Sequence, residues 1–195
     1  LEFRRVLFRS NAALKAVESA YANIKDIPDD GVEENIIKSI TGRVISRDVS
    51  DYKVSLIDDN IERLGISNID VQVYNALDKD DSLVGKADIV IADLPCSGLG
   101  IMGRKPDIRY NISPEKISDI IRLQRDILEV VSMYVKPGGT LVYSTCTINR
   151  SENEENADWI CTSLGFTRDG EYVQMLPSPD KDNDGFFVAR LIKNS

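Results

Sequence analysis

Two of the three cysteines in the chain lie where a predicted strand gives way to a loop, a position from which a thiol can act as a nucleophile. Cys96 belongs to the loop 93–100 (DLPCSGLG), which follows the apolar run 87–92, and Cys146 follows a strand predicted at 140–144. Ligands of an open α/β sheet bind beyond the carboxyl ends of its parallel strands, so we expect both thiols to face one crevice. A glycine turn with a buried cysteine would also explain the first loop taken alone. Two cysteines in equivalent positions are a more specific indication of catalysis than either one.

A pair of thiols suits the methylation of a pyrimidine ring at carbon. C5 of cytosine is a poor nucleophile, but a thiolate that adds to C6 creates an enamine whose C5 can accept an electrophilic methyl group. The C5 proton must then leave and the thiol must be eliminated, which calls for a second group. Asp93 provides a hydrogen-bond acceptor in the same loop as Cys96, and an acid that hydrogen-bonds the ring edge would stabilise the activated base.

Two weaker signals accompany the cysteines. Asp48 follows a short predicted strand and precedes a helix, where an acid suits the hydroxyl pair of a ribose or, as an alternative, caps the helix. Arg104, Lys105 and Arg109 form a basic patch in an acidic chain. Such a patch can meet phosphates, and a solvated surface is the alternative interpretation.

The composition excludes several classes of site. The 195 residues include no histidine, which rules out Ser-His-Asp and Cys-His catalysis and histidine-zinc sites. Three cysteines without a CxxC pair predict neither a disulfide framework nor a metal site, and they favour a reducing cytoplasm. No apolar run is long enough for a bilayer, so no membrane partner is expected. Cys161, next to Trp159, is predicted to belong to the core.

Strands and helices alternate along the chain, which predicts an α/β fold with a mostly parallel sheet and helices on both faces. The last two strands lack an intervening helix and are expected to be antiparallel. Ser151 and Glu154 are interpreted as a capping box for the last helix, and Ser113 with Pro114 opens a helix that runs to 136–139. The remaining predicted strands lie at 43–46, which ends at Asp48, and at 69–74, 172–176 and 186–191. The remaining helices lie at 11–24, 33–40 and 54–64, with a helical or turn segment at 77–84.

Several motifs resemble the Sun/Fmu family of ribosomal RNA cytosine-C5 methyltransferases, class I enzymes that use S-adenosylmethionine. They are DLPCSGLGIMGRKPDIRY at 93–110, KPGGTLVYSTCT at 136–147, SENEEN at 151–156, DGFFVARL at 184–191 and RDVSDYKVSLIDDNIERLG at 47–65. The resemblance implies that Cys146 attacks C6 and that Cys96 assists breakdown of the covalent adduct. It also implies that Asp48 holds the cofactor ribose, that Asn75 lies beside the adenine, and that Asp93 borders cofactor and cytosine.

The chain departs from the family pattern at its start. The family's glycine-rich cofactor loop after the first strand has no counterpart, and the family has Asp where Asn75 stands. The first ten residues, LEFRRVLFRS, are interpreted as a non-native flank, and 11–195 as an amino-terminally truncated catalytic domain. We therefore expect a Rossmann-like class I sheet that lacks the first strand and the cofactor loop, with weak binding of S-adenosylmethionine.

The resemblance implies ribosomal RNA as partner, and nothing in the sequence requires a metal ion or a partner subunit, so a monomer is expected. A non-catalytic RNA-binding or ribosome-assembly protein of the same fold is the alternative, although a binding module needs neither thiol. An exocyclic amino methyltransferase would carry an Asp/Asn-Pro-Pro-aromatic loop, where this chain has Asp93-Leu94-Pro95-Cys96.

Overall fold

A computed structural model describes residues 4–8, 42–178 and 183–195 of the chain. Their eight strands form one sheet in the order β3-β2-β1-β4-β5-β8-β6, with β7 also paired to β8. The strands are β1 (Arg4–Phe8), β2 (Val44–Asp48), β3 (Ile69–Val73), β4 (Ala87–Asp93), β5 (Val135–Thr145), β6 (Phe166–Arg168), β7 (Val173–Met175) and β8 (Phe186–Lys193).

Six of these eight strands run in one direction, and β1 and β8 run against them. The pairs β2–β3 and β4–β5 are parallel, and β8 is antiparallel to β5, β6 and β7. The predicted α/β class, the mostly parallel sheet and the antiparallel carboxyl-terminal pair are therefore confirmed. The short β6 was not predicted, because three residues are too few to show an alternation of polar and apolar side chains.

Strand β1 comes from the ten residues that the sequence analysis leaves out of the fold. It lies between β2 and β4 and is antiparallel to both, with Arg5 opposite Arg47 and Arg4 opposite Asp93. Its carboxyl end therefore points away from the edge of the sheet at which β2 and β4 end. In a parallel sheet the cofactor loop would follow the first strand at that edge. The carboxyl end of the antiparallel β1 lies at the opposite edge and cannot carry such a loop. The non-native origin of the decamer remains a prediction.

The described residues form four α-helices: α1 (Asp51–Leu64), α2 (Ile108–Asn111), α3 (Pro114–Ser132) and α4 (Glu154–Ser163). A 3-10 helix, Leu99–Ile101, lies between β4 and α2. The cap of α1 is Ser50, whose side chain accepts a hydrogen bond from the Lys53 amide, and Gly65 ends this helix in the left-handed conformation. No helix in the described ranges is long and apolar enough to cross a membrane. The predicted helices at 11–24 and 33–40 lie outside the described residues.

Two helix boundaries were predicted wrongly. Ser151 and Glu154 form no capping box, because α4 begins only at Glu154 with Asn153 at the capping position, and the preceding Glu152 is held in the interior. The helix that begins at Pro114 stops at Ser132 rather than at 136–139, since Val135 already pairs with Ala87 in the sheet. The segment predicted at 77–84 consists of turns.

The main core lies between α3 and the sheet. Ile127, Leu128 and Val131 of α3 are fully buried and belong to one cluster with residues of β4, β5 and β8. Removing this apolar surface from water fixes α3 against the strands whose ends carry the two cysteine loops. The core therefore determines where the loops begin.

Candidate active site

The ends of β4 and β5 bring the two predicted catalytic cysteines together. The strands are parallel neighbours with Asp93 opposite Ser144, and the amide of Leu94 donates a hydrogen bond to the Ser144 carbonyl across 3.1 Å. Three residues after Asp93 and two after Ser144, the Sγ atoms of Cys96 and Cys146 lie 3.2 Å apart. This separation is within hydrogen-bond reach for two sulfur atoms, so the expected common crevice is present.

The pKa values of the two thiols are shifted in opposite directions. A hydrogen bond from Cys96 lowers the pKa of Cys146, against burial and the charge of Asp93, which raise it, and Lys105 adds a smaller lowering effect. The same contact raises the pKa of Cys96, and burial and the negative charge of Glu152 raise it further. In this contact Cys96 acts as the donor, and Cys146 is the more acidic thiol of the pair.

A buried polar cluster, which we call the clamp, joins the two cysteine loops. Its centre is Glu152, which is completely buried. The Glu152 carboxylate accepts hydrogen bonds from the amide and the hydroxyl of Ser97 at 2.8 and 2.6 Å, and from the Asn149 amide group at 3.0 Å. The hydroxyls of Ser97 and Thr147 lie 2.8 Å apart, and Gln124 of α3 donates to Glu152 at 3.3 Å. The clamp was not predicted from the sequence, because Ser151 and Glu154 of the SENEEN segment were interpreted as a helix cap.

A close backbone contact completes the arrangement. The Gly100 amide donates to the Cys146 carbonyl at 3.1 Å, and the Gly185 amide donates to the Gly100 carbonyl at 2.8 Å. A Cβ at Gly100 would lie 2.8 Å from the Cys146 carbonyl oxygen and against backbone atoms of Gly185. Only glycine fits such a contact without a shift of the main chain.

Asp48 and Asp93 are the last residues of β2 and β4, and Asn75 follows β3, so all three lie at the same edge of the sheet. Asp48 is 1% exposed, and its Oδ1 accepts from the Ser50 amide at 2.8 Å. Ser50, not Asp48, caps α1, so the capping alternative for Asp48 is wrong. Buried Oδ2 has no hydrogen-bond partner among the described residues, with the Lys53 ammonium 4.0 Å away. An unpartnered buried carboxylate oxygen fits a ribose hydroxyl, so this edge suits a nucleoside-containing cofactor. Asn75 is exposed, and its Oδ1 accepts from the Leu77 amide.

Arg47 stiffens this edge and was not singled out from the sequence. Its buried guanidinium donates to Asp80 at 2.5 Å and to Gln72 at 2.8 Å, and it lies 4.0 Å from the ring centre of Tyr74. The hydrogen bond from Arg47 is the main cause of the lowered pKa of Asp80, and hydrogen bonds from Ser82 lower it further. Residues far apart in sequence are thereby held together beside Asn75.

The predicted basic patch is exposed on the segment that leads to α2. Arg104 forms an ion pair with Asp184 at 3.0 Å. The positive charge of Lys105 contributes to the lowered pKa of Cys146. Arg109 lies on α2 itself. Of the three cations, Lys105 is the one with an electrostatic effect on the cysteine pair. Cys161 lies on α4 and packs against the core, as predicted.

A cavity of about 420 Å³ adjoins Cys96 and Ser97. Its far wall consists of α2 and α3, and its lining is mostly apolar. The contributing side chains are those of Asp107, Ile108, Asn111, Ile112, Lys116, Asp119, Ile120 and Leu123. Space beside Cys96 is therefore available to a planar group.

Solved structures share this fold. NSun6 from Pyrococcus horikoshii, solved with SFG, is 26% identical, with a TM-score of 0.70 over 87% of this chain and 47% of that one. The N-methyltransferase NodS from Bradyrhizobium japonicum, in complex with S-adenosyl-L-homocysteine, is 14% identical with a TM-score of 0.52. It covers 85% of this chain and 73% of its own. The second likeness shows the fold alone.

Curated relatives agree with the motifs. Ribosomal RNA small subunit methyltransferase F of Salmonella agona is 35% identical over 175 residues, and the protein of that name from Aliivibrio fischeri is 33% identical over 177. Each match covers 79% of this chain and only 36% of the relative. The family model for the 16S rRNA methyltransferase RsmB/F matches residues 35–192. The resemblance predicted from the motifs is thereby confirmed, and the chain belongs to the 16S rRNA methyltransferase RsmB/F family.

Proposed function

We propose that the chain is the catalytic part of an S-adenosylmethionine-dependent methyltransferase that modifies C5 of a cytosine in ribosomal RNA. The observation that carries the proposal is the 3.2 Å approach of the Cys96 and Cys146 sulfur atoms at the ends of adjacent parallel strands. The chain spans 36% of the length of the curated relatives, so the activity is proposed for the whole protein to which it corresponds.

In this proposal Cys146 is the nucleophile. Its lowered pKa increases the thiolate fraction, and the thiolate forms a bond to C6 of the cytosine while the π electron pair of the C5–C6 double bond moves into the ring. The half-buried Asp93, whose carboxylate accepts a hydrogen bond from Ser144 at 3.3 Å, ends β4 three residues before Cys96. There it can hydrogen-bond the edge of the activated base.

Cys96 then helps to break the adduct. After C5 has accepted the methyl group, its proton leaves to solvent, and the electron pair that returns to the ring expels Cys146 as a thiolate. The Cys96 thiol, kept protonated by burial and by its neighbours, donates a hydrogen bond to that leaving sulfur. A reducing cytoplasm would preserve both thiols.

The neighbouring residues supply binding. S-adenosylmethionine provides the electrophilic methyl group when bound. Asp48 would hold its ribose through the unpartnered Oδ2, and Asn75 would lie beside its adenine. Arg104, Lys105 and Arg109 would meet RNA phosphates, and Arg104 would exchange its ion pair with Asp184 for a phosphate.

The test is methyl transfer to 16S ribosomal RNA by the full-length product of the source gene. Cys146→Ala should abolish transfer and form no covalent complex, whereas Cys96→Ala should accumulate protein attached to RNA on denaturing gels. Cys161→Ala, which alters a thiol outside the site, is the matched control and should behave like the wild type. Accumulation of the complex with Cys146→Ala instead would reverse the two roles. Absence of transfer and complex in the wild type would favour a non-catalytic RNA-binding or assembly protein.

A further inference from the structure

We propose that Glu152 is a positioning residue that sets the separation of Cys96 and Cys146. The inference rests on the proposed function in one respect only, the reaction in which Cys96 and Cys146 take part. The hydrogen bonds that define the position are independent of that reaction. Glu152 belongs to the SENEEN segment, and neither the nucleophilic step nor cofactor binding uses it.

The residues next to the two cysteines are bonded directly to each other. Ser97 follows Cys96 and Thr147 follows Cys146, and their hydroxyl oxygens lie 2.8 Å apart. The Asn149 amide donates to the Thr147 hydroxyl at 3.2 Å, and the Ser97 hydroxyl donates to Glu152 at 2.6 Å. Thr147 therefore donates to Ser97, and the hydrogen bonds run in one direction from the Cys146 loop to the carboxylate.

Glu152 is the acceptor on which these bonds converge. Burying a carboxylate is costly unless donors surround it. Here the two oxygens receive four donors: the amide and hydroxyl of Ser97, the side-chain amide of Asn149 and that of Gln124. Gln124 also donates to the Pro95 carbonyl at 2.8 Å, so the residues on both sides of Cys96 are tied to the same group.

The charge of Glu152 has a second consequence for the pair. It favours the protonated form of Cys96, which is the donor to Cys146. A glutamine at this position would keep the shape but lose both the charge and one acceptor oxygen. Its own amide group would face donors, so the Cys96 loop would lose at least one bond to the clamp.

The test measures how well the fold holds the two sulfur atoms together. In a series of glutathione redox buffers, the equilibrium between the dithiol and the Cys96–Cys146 disulfide gives the effective concentration of one thiol at the other. Peptide mass spectrometry identifies the disulfide. Glu152→Gln should lower this effective concentration about tenfold, the equilibrium value of one hydrogen bond to a charged group. Glu155→Gln, an exposed neighbour in the same segment, is the matched control and should leave it unchanged.

A thermal unfolding curve separates positioning from stability. A folded Glu152→Gln protein with an unchanged effective concentration overturns the proposal, even if its melting temperature falls. Where Glu152→Gln does not fold, Ser97→Ala removes the hydroxyl link and keeps the backbone bond, and it should lower the value severalfold. An unchanged value for Ser97→Ala overturns the proposal equally. The measurement needs neither RNA nor cofactor, so its failure is distinct from a failure of the proposed methyl transfer.

Discussion

Replacing Cys96 with alanine removes the hydrogen bond that holds down the pKa of Cys146. The two Sγ atoms are 3.2 Å apart, and this contact is the largest effect on the acidity of Cys146. A hydrogen bond to a charged group contributes about 1.5–3 kcal/mol. One pKa unit corresponds to about 1.36 kcal/mol, so the pKa of Cys146 should rise by about one to two units. Water that enters beside the smaller alanine opposes part of this rise, which places the expected shift near one unit.

The assay is the rate of alkylation of Cys146 by iodoacetamide between pH 5 and pH 10, followed by mass spectrometry of its peptide. The midpoint of the pH profile reports the pKa, whereas the plateau rate also contains the intrinsic reactivity of the thiolate. Cys161, on α4 outside the pair, serves as the reference thiol in the same molecule. A midpoint for Cys146 in the Cys96→Ala protein that equals or falls below the wild-type value would refute the assignment of Cys96 as donor.

Three further outcomes are expected. Gly100→Ala should lower the melting temperature by several degrees, because the new Cβ would meet backbone oxygens. Gly103→Ala places its Cβ in open space and is the control. Equal melting temperatures for the two variants would contradict the contact at Gly100. Asp80→Asn should destabilise the protein by about 1–3 kcal/mol at neutral pH, since it leaves buried Arg47 without its carboxylate. Because the pKa of Asp80 is lower in the folded state, its ionised carboxylate stabilises the protein fully above about pH 4 and progressively less in more acidic solution. The deficit of the variant should shrink in the same range, and a deficit independent of pH would contradict this role of Asp80. Lys105→Ala should reduce the salt slope of RNA binding by about one, and an unchanged slope removes this lysine from the phosphate contacts.

The cysteine pair could be predicted because local patterns determine it. An apolar run followed by a loop with Pro95 and two glycines identifies a buried strand and the turn after it, and an apolar run likewise precedes Cys146. Parallel neighbours end at one edge, so placing each cysteine after its strand was enough to bring them together. The motifs then supplied the family.

The clamp and the Arg47 pair could not be predicted because tertiary contacts decide them. Glu152 is polar and precedes a helix, and a carboxylate there is ordinarily a solvated or capping group. Its burial depends on donors from Ser97 and Gln124, which lie 55 and 28 residues earlier. The partners Arg47 and Asp80 are 33 residues apart, with no periodicity that links them. The strand Arg4–Phe8 was left out because a basic flank with an unusual charge gave no reason to place it in the sheet.

The peptide that remains attached to RNA identifies directly which cysteine bonds to the pyrimidine. The full-length Cys96→Ala protein would be incubated with S-adenosylmethionine and 16S ribosomal RNA, denatured, digested with nuclease and protease, and sequenced by mass spectrometry. We expect a methylated cytidine residue bound to the sulfur of Cys146. A nucleotide on any other residue, or a bound cytidine without the methyl group, would contradict it.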